Sequence, residues 1–265
     1  FGNEEAFAYT VKGSFEDFIN LRQNKPAEMM AKYVDARLRS GRIDSAQAAG
    51  GGTPESGESE MEALLDRVMV LFRYINGKDV FEAFYKKDLA KRLLLNKSAS
   101  FDLEKSMVTK LKTECGAAFT TKLEGMFKDM TLSTETMQSY LKSKHCTEYT
   151  EDCRARGVPS VGMYVHVLRT GFWPTYPPMD MTLPAVVVEG RQVFETFYAE
   201  KYQGRKLYWQ HSLGTCVVKA TFRKGVRHEF DVSLLQASVL LLFDQLEGGK
   251  MLSFREILDL TKIES

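Results

Sequence analysis

The sequence predicts a mainly α protein in two parts, an all-helical part followed by a small α/β unit. Three observations lead there. Apolar residues recur at i, i+3, i+4 and i+7 as far as Met130; alternation replaces that period after Gly157-Val158-Pro159; and further strand-like runs then flank a helical one.

The helical part opens with Phe15, Phe18 and Ile19 on one stripe. A second helix carries Met29, Met30, Tyr33, Val34 and Leu38 after Pro26, which suits a first turn where a missing N–H costs nothing. From Ser40 to about Glu60 the composition shifts to Ala, Gly, Ser and Glu, with Gly50-Gly51-Gly52 and Pro54. Such a stretch buries too little apolar surface to offset its ordering entropy, so a mobile loop is predicted. Helical spacing returns with Met61, Leu64, Leu65, Val68, Leu71, Phe72 and Ile75, and Gly77 stops it. Asp79 is the expected cap of the next run, through Phe81, Tyr85, Leu89 and Leu93. Ser100, with Asp102 and Glu104, opens a third long helix that carries Leu103, Met107 and Leu111 and is expected to run on through Leu123, Phe127 and Met130. Long amphipathic helices with short joints point to an antiparallel bundle.

In the second part, Val161, Met163, Val165 and Val167 alternate as a strand, ended by Gly171-Phe172-Trp173-Pro174. A helix is expected from about Pro184 to Tyr202, then three β-rich runs: Lys206 to His211, Cys216 to Arg223 and Val226 to Ser233. Four strands in all are therefore predicted. Leu234 to Glu247 is apolar nearly all round and is expected to be buried. Ser253 and Glu256 form a capping box that starts one more helix. Both ends of the chain, at Phe1 and Ser265, read as cut from a longer protein.

Composition narrows the function. The 265 residues carry 36 Lys+Arg against 35 Asp+Glu, a net charge of +1, with 44% hydrophobic and 27% charged residues. That excludes wholesale disorder and argues against coating nucleic acid or membrane by bulk charge. No apolar run approaches the ~20 residues of a membrane helix. His145, Cys146 and Cys153 are the nearest approach to a metal cluster, but their spacing is unlike a zinc site. No nucleophile elbow, phosphate loop or dinucleotide fingerprint is present, so no catalytic residue, metal or cofactor is assigned. The basic run Lys86, Lys87, Lys91, Arg92 and Lys97, beside Phe84 and Tyr85, leaves a nucleic-acid-binding helical module as the alternative function.

The phrase from Asp79 to Leu94, DVFEAFYKKDLAKRLL, resembles the central signature of the cullins. So do Ser98-Ala99-Ser100, the run from Met107 to Met130, Thr170 to Pro174, Phe194 to Tyr198, and Gly204 to Trp209. EGMFKDM, from Glu124 to Met130, is most similar to the class-four cullins. The resemblance implies a scaffold subunit of a ubiquitin ligase that performs no bond chemistry itself. Its layout would place the end of a helical stalk at residues 1–24 and a four-helix bundle at 25–145, with a disordered loop near 43–60. An α/β domain with a four-stranded sheet would follow at 158–249, and the first helix of a truncated winged-helix domain at 250–265. The insert from Ser45 to Ser59 and the stretch from Cys146 to Gly157 depart most from the family pattern.

The implied partners are a RING-box protein and a ubiquitin-conjugating enzyme, with an exchange factor and a deneddylase complex besides. A substrate adaptor would attach through residues upstream of Phe1. The strand Val161, Met163, Val165, Val167 and Leu168 would be augmented by a strand of the RING partner. Arg37, Arg39 and Arg42, at a helix end, would dock the conjugating enzyme's acidic tail. The modifier-acceptor lysine of the family is expected outside this chain, so neither Lys250 nor Lys262 is assigned that role. A nuclear and cytoplasmic location is implied, and no membrane.

Overall fold

The computed structural model describes residues 5–41, 54–158, 160–222, 225–244 and 251–263. The chain divides into two compact units, Phe1–Ser133 with His166–Pro174, and Thr134–Val165 with Thr175–Ser265.

The first unit is helical: α1 (Glu5–Ile19), α2 (Lys25–Ser40), α3 (Pro54–Phe72), α4 (Lys78–Leu94), α5 (Phe101–Cys115) and the residues up to Ser133 of α6 (Ala117–Leu141). Helix α2 packs on α3 and α4, and α3 packs on α5. One core collects Val34 and Leu38, Met61 and Leu65, Phe81 and Leu89, Met107 and Leu111, and Leu123 and Met126. Phe72 and Phe81 meet edge to face at 4.9 Å.

Several local expectations shift here. The buried face of α2 is Ala27, Ala31, Val34 and Leu38, while Met29 is 60% exposed. Small alanines on the buried face suit close packing by the neighbouring helices. In α1, Phe18 is 69% exposed, whereas Ile19 is partly buried against the core and Phe15 meets Tyr74 edge to face. Helix α3 begins at Pro54, inside the expected loop. The rest of that loop, 42–53, lies outside the described residues. Asp79 is not a cap but sits in the first turn of α4, whose N-cap is Gly77. The expected long third helix is two: Gly116, at φ +83°, divides α5 from α6 in a conformation that residues with a Cβ rarely take. Ser100 caps α5 as expected, accepting the Leu103 N–H at 3.4 Å.

In the second unit, the end of α6 is followed by α7 (Lys144–Arg156), α8 (Ala185–Lys201), a short 3-10 turn (His211–Leu213), β1 (Thr215–Thr221), β2 (Arg227–Ser233), α9 (Leu234–Asp244) and α10 (Phe254–Thr261). Helix α7, not foreseen, is capped by Ser143, which accepts the Cys146 N–H, and stopped by Gly157 in the left-handed region. Tyr140 packs against Phe194 and Phe197 of α8, and Trp209 Nε1 donates to Glu195 at 2.6 Å. The sheet is an antiparallel hairpin in register from Thr215 opposite Ser233 to Thr221 opposite Arg227. The expected strands Cys216 to Arg223 and Val226 to Ser233 are these two.

The four-stranded sheet is not found: among the described residues only β1 and β2 pair. Neither Lys206 to His211 nor Val161 to Leu168 forms a strand, and the latter has no sheet neighbour among the described residues. A sheet needs a second backbone, and in the latter run side chains take that place, as described below. Helix α9 buries Leu234 and Ala237, but Leu240 and Phe243 are 43% and 46% exposed, contrary to the expectation of full burial. Both halves of the Ser253–Glu256 capping box form. The Thr182 N–H donates to the Thr261 carbonyl at 2.8 Å, holding the end of α10.

Candidate functional site

The run Val161 to Leu168 divides between the units, and each portion is fastened by side chains. In the first unit, Ser133 of α6 serves Val167 twice: its hydroxyl accepts the Val167 N–H at 2.8 Å and donates to the Val167 carbonyl at 3.0 Å. One turn earlier Asp129, itself buried, accepts the Arg169 N–H at 2.8 Å, Arg169 Nε at 2.6 Å and Trp173 Nε1 at 2.9 Å. A buried carboxylate is tolerable because three donors replace its water. The Arg169 guanidinium lies over the Phe172 ring at 4.6 Å. That ring presses on Gly125, where an added Cβ would come within 2.7 Å of it. Leu168 packs on the helical core. Burial pushes the His166 imidazole below its ordinary pKa.

In the second unit, the Val161 N–H donates to the Tyr149 hydroxyl at 3.3 Å and the Val165 N–H to Met137 Sδ at 3.3 Å. Burial pushes the Tyr149 phenol up. Met163 lies against Gly190 of α8, and Val165 is buried, whereas Gly162 is exposed and Tyr164 is 57% exposed. The odd-numbered positions therefore face inward and part of the opposite face is open, not covered on both sides. Pattern reading missed Asp129, Ser133, Met137 and Tyr149. The one available signal was polar residues at 129 and 133 on a stretch otherwise rich in Met126, Phe127 and Met130.

Arg37 and Arg39 lie in the last turn of α2, and both are half-buried. The Arg37 guanidinium is 4.9 Å from the Tyr33 ring centre, and Arg39 Nε donates to Asp35 at 2.8 Å. Arg42 lies outside the described residues.

The basic run does not form one surface. Arg92 is wholly buried between Glu104 and Asp35, and Tyr85 is buried beside it, so neither reaches a nucleic acid. His145 Nε2 is 2.9 Å from Glu200, and Cys153 is buried. Among the described residues, no three His, Cys, Asp or Glu side chains group as metal ligands. No described helix is long and apolar enough to cross a membrane.

The family model of the cullin alpha solenoid domain matches residues 1–137, just over half of the chain, and that of the cullin alpha+beta domain matches residues 167–265. The chain belongs to the cullin family. It is 51% identical over 264 residues to Cullin-4A of Mus musculus, a match covering 100% of this chain and 32% of that relative. Identity is 49% with Cullin-4A of Homo sapiens, over the same shares, and 46% with Cullin-4 of Dictyostelium discoideum, covering 97% of this chain and 29% of that one. The expected likeness to class-four cullins therefore holds. The chain spans about a third of the length of these relatives.

Proposed function

We propose that this chain is a stretch of the scaffold subunit of a cullin-RING ubiquitin ligase. It holds a RING-box protein through its α/β part and so positions a ubiquitin-charged conjugating enzyme relative to a substrate receptor. It contributes no catalytic residue, and none of its lysines is assigned as the modifier acceptor. The scaffold's contribution is placement, which turns a chance encounter into an effectively intramolecular transfer. Family membership supports this reading, together with helices packed on one apolar core, a construction suited to stiffness.

The observation that carries the partner assignment is the run Val161, Met163, Val165, Val167, Leu168. Its alternate N–H groups at Val165 and Val167 are taken by side chains, and no strand lies beside it among the described residues. Such a segment is prepared for β-augmentation by an extended piece of the RING-box protein. Arg37, Arg39 and Arg42 form the proposed docking patch for the conjugating enzyme. The exchange factor and deneddylase complex belong to the same proposal, as do the substrate adaptor, bound outside this stretch, and the nuclear and cytoplasmic location.

The test is co-expression with a RING-box protein, followed by co-purification. The wild-type chain should carry the partner, and Val165→Pro, which removes the N–H that Met137 holds and so unfastens the run, should lose it while α2 to α5 stay folded. Equal recovery of the partner by both chains would reject the assignment.

A further inference from the structure

We infer that Asp129 and Ser133 are positioning residues: α6 acts as a stand-in strand that occupies one edge of the segment around Val167 and thereby assigns the partner to the other. This rests on the proposed RING-box augmentation and adds the edge on which it occurs.

The argument is geometric. Residues four apart on a helix are separated along its axis by about 6.0 Å. Residues two apart on an extended chain are separated by about 6.6 Å. The two steps nearly match, so helix side chains at i and i+4 can serve backbone groups at j and j−2. That is the arrangement here: Asp129 takes the Arg169 N–H and Ser133 takes the Val167 N–H. The same step recurs in the second unit, where Met137 takes the Val165 N–H.

Ser133 does more than satisfy a donor. It accepts from and donates to the same residue, reproducing the double exchange that a facing residue makes in an antiparallel pair. Asp129 anchors the end of the run by gripping the Arg169 backbone, its guanidinium and the Trp173 indole together. Successive N–H groups of an extended chain point to opposite edges. With the edge of Val167 and Arg169 occupied, an incoming strand pairs on the edge to which the Leu168 N–H points.

The experiment uses the chain co-expressed with a RING-box protein, with affinity and amide hydrogen exchange as readouts. Ser133→Ala should weaken binding by about tenfold, the order expected for losing a buried hydrogen-bonding group. Ser133→Thr, which keeps the hydroxyl, should restore it. Asp129→Asn should also weaken binding, because an amide presents only one acceptor atom. In the free wild-type chain the Val167 and Arg169 amides should already be protected, and binding should add protection at Leu168. Failure of the wild-type chain to bind would overturn the proposed function itself. Binding by wild type with no loss in Ser133→Ala would overturn this inference alone. Should Ser133→Ala fail to fold, exchange in the wild-type complex decides: new protection confined to Val165, Val167 and Arg169 would place the partner on the wrong edge and overturn it.

Discussion

Arg92 and Glu104 meet inside the first unit with neither side chain exposed: Arg92 Nε lies 2.5 Å from Glu104 Oε1, and Nη2 lies 2.9 Å from Oε2. Asp35 of α2 takes a third guanidinium hydrogen, and Ser98 donates to Glu104 at 2.8 Å. One bidentate pair with two satisfied neighbours thus joins α2, α4 and α5. The arrangement holds Arg92 firmly protonated.

Removing one member should be far worse than removing both. Glu104→Ala leaves a buried guanidinium half-paired and should destabilise the first unit by about 3 kcal/mol. Arg92→Met with Glu104→Met replaces the pair by apolar volume, and Asp35 keeps Arg39. That double variant should lose less than the single one. Urea unfolding followed by circular dichroism measures both, and a double variant weaker than Glu104→Ala would contradict the account.

Two helical glycines should respond differently to alanine. At Gly125 the new methyl would meet the Phe172 ring at 2.7 Å, and a packed ring cannot yield, so a loss of about 1–2 kcal/mol is expected despite alanine's better helix propensity. At Gly190 the nearest atom is Met163 Cε at 3.2 Å, the end of a flexible chain. Gly190→Ala should therefore be near neutral. Melting temperatures of the two variants decide it.

Acidification should destabilise the protein before its carboxylates titrate. Burial holds the His166 imidazole below its ordinary 6.5, and burial with Arg191 does the same to His211. The unfolded chain then binds more protons than the folded one just below pH 6.5, so stability is full above that pH and falls as the pH drops through the folded values. Glu28, Glu114 and Glu124 have lowered values and act only below about 4.5, weakly because their lysine and arginine partners lie at the surface. Urea midpoints at pH 7.5, 6.5 and 5.5 should decline, and His166→Phe with His211→Phe should flatten the decline.

The arginine patch needs a selective variant. Reversing Arg39 would strip Asp35 of a partner inside the Arg92 network and confound docking with folding. Arg37→Glu with Arg42→Glu avoids this. If the patch steers an acidic tail, ubiquitin transfer should slow several-fold at low salt and little at high salt. An equal loss at both would point away from steering.

Helix existence was legible in the sequence because the 3.6-residue period is local. Met61, Leu65 and Phe72, or Met107 and Leu111, are both the periodic residues and the buried ones. What was not legible depends on distant partners. Alternation at Val161 to Val167 suggested a strand that the structure does not form, and nothing local could say that Ser133 and Asp129, more than thirty residues earlier, would take its backbone donors. Arg92 read as part of a basic surface because charge pattern alone does not reveal a buried carboxylate twelve residues on. The break at Gly116 was hidden by apolar spacing that happens to continue in phase across it.

The β1–β2 hairpin has a consequence for supply. Among the described residues β1 and β2 have only each other as strand neighbours, and nearby Val232, Leu235, Val239, Leu240 and Ile263 line an open apolar groove of about 430 Å³. The hairpin leans on α9, but open edges pair with whatever backbone arrives first, a second copy included. Made in excess of whatever covers it, the chain therefore presents the surface that chaperones and proteases act on. A partner strand or helix that covered this surface would protect the chain from that fate, so its abundance would follow the partner's.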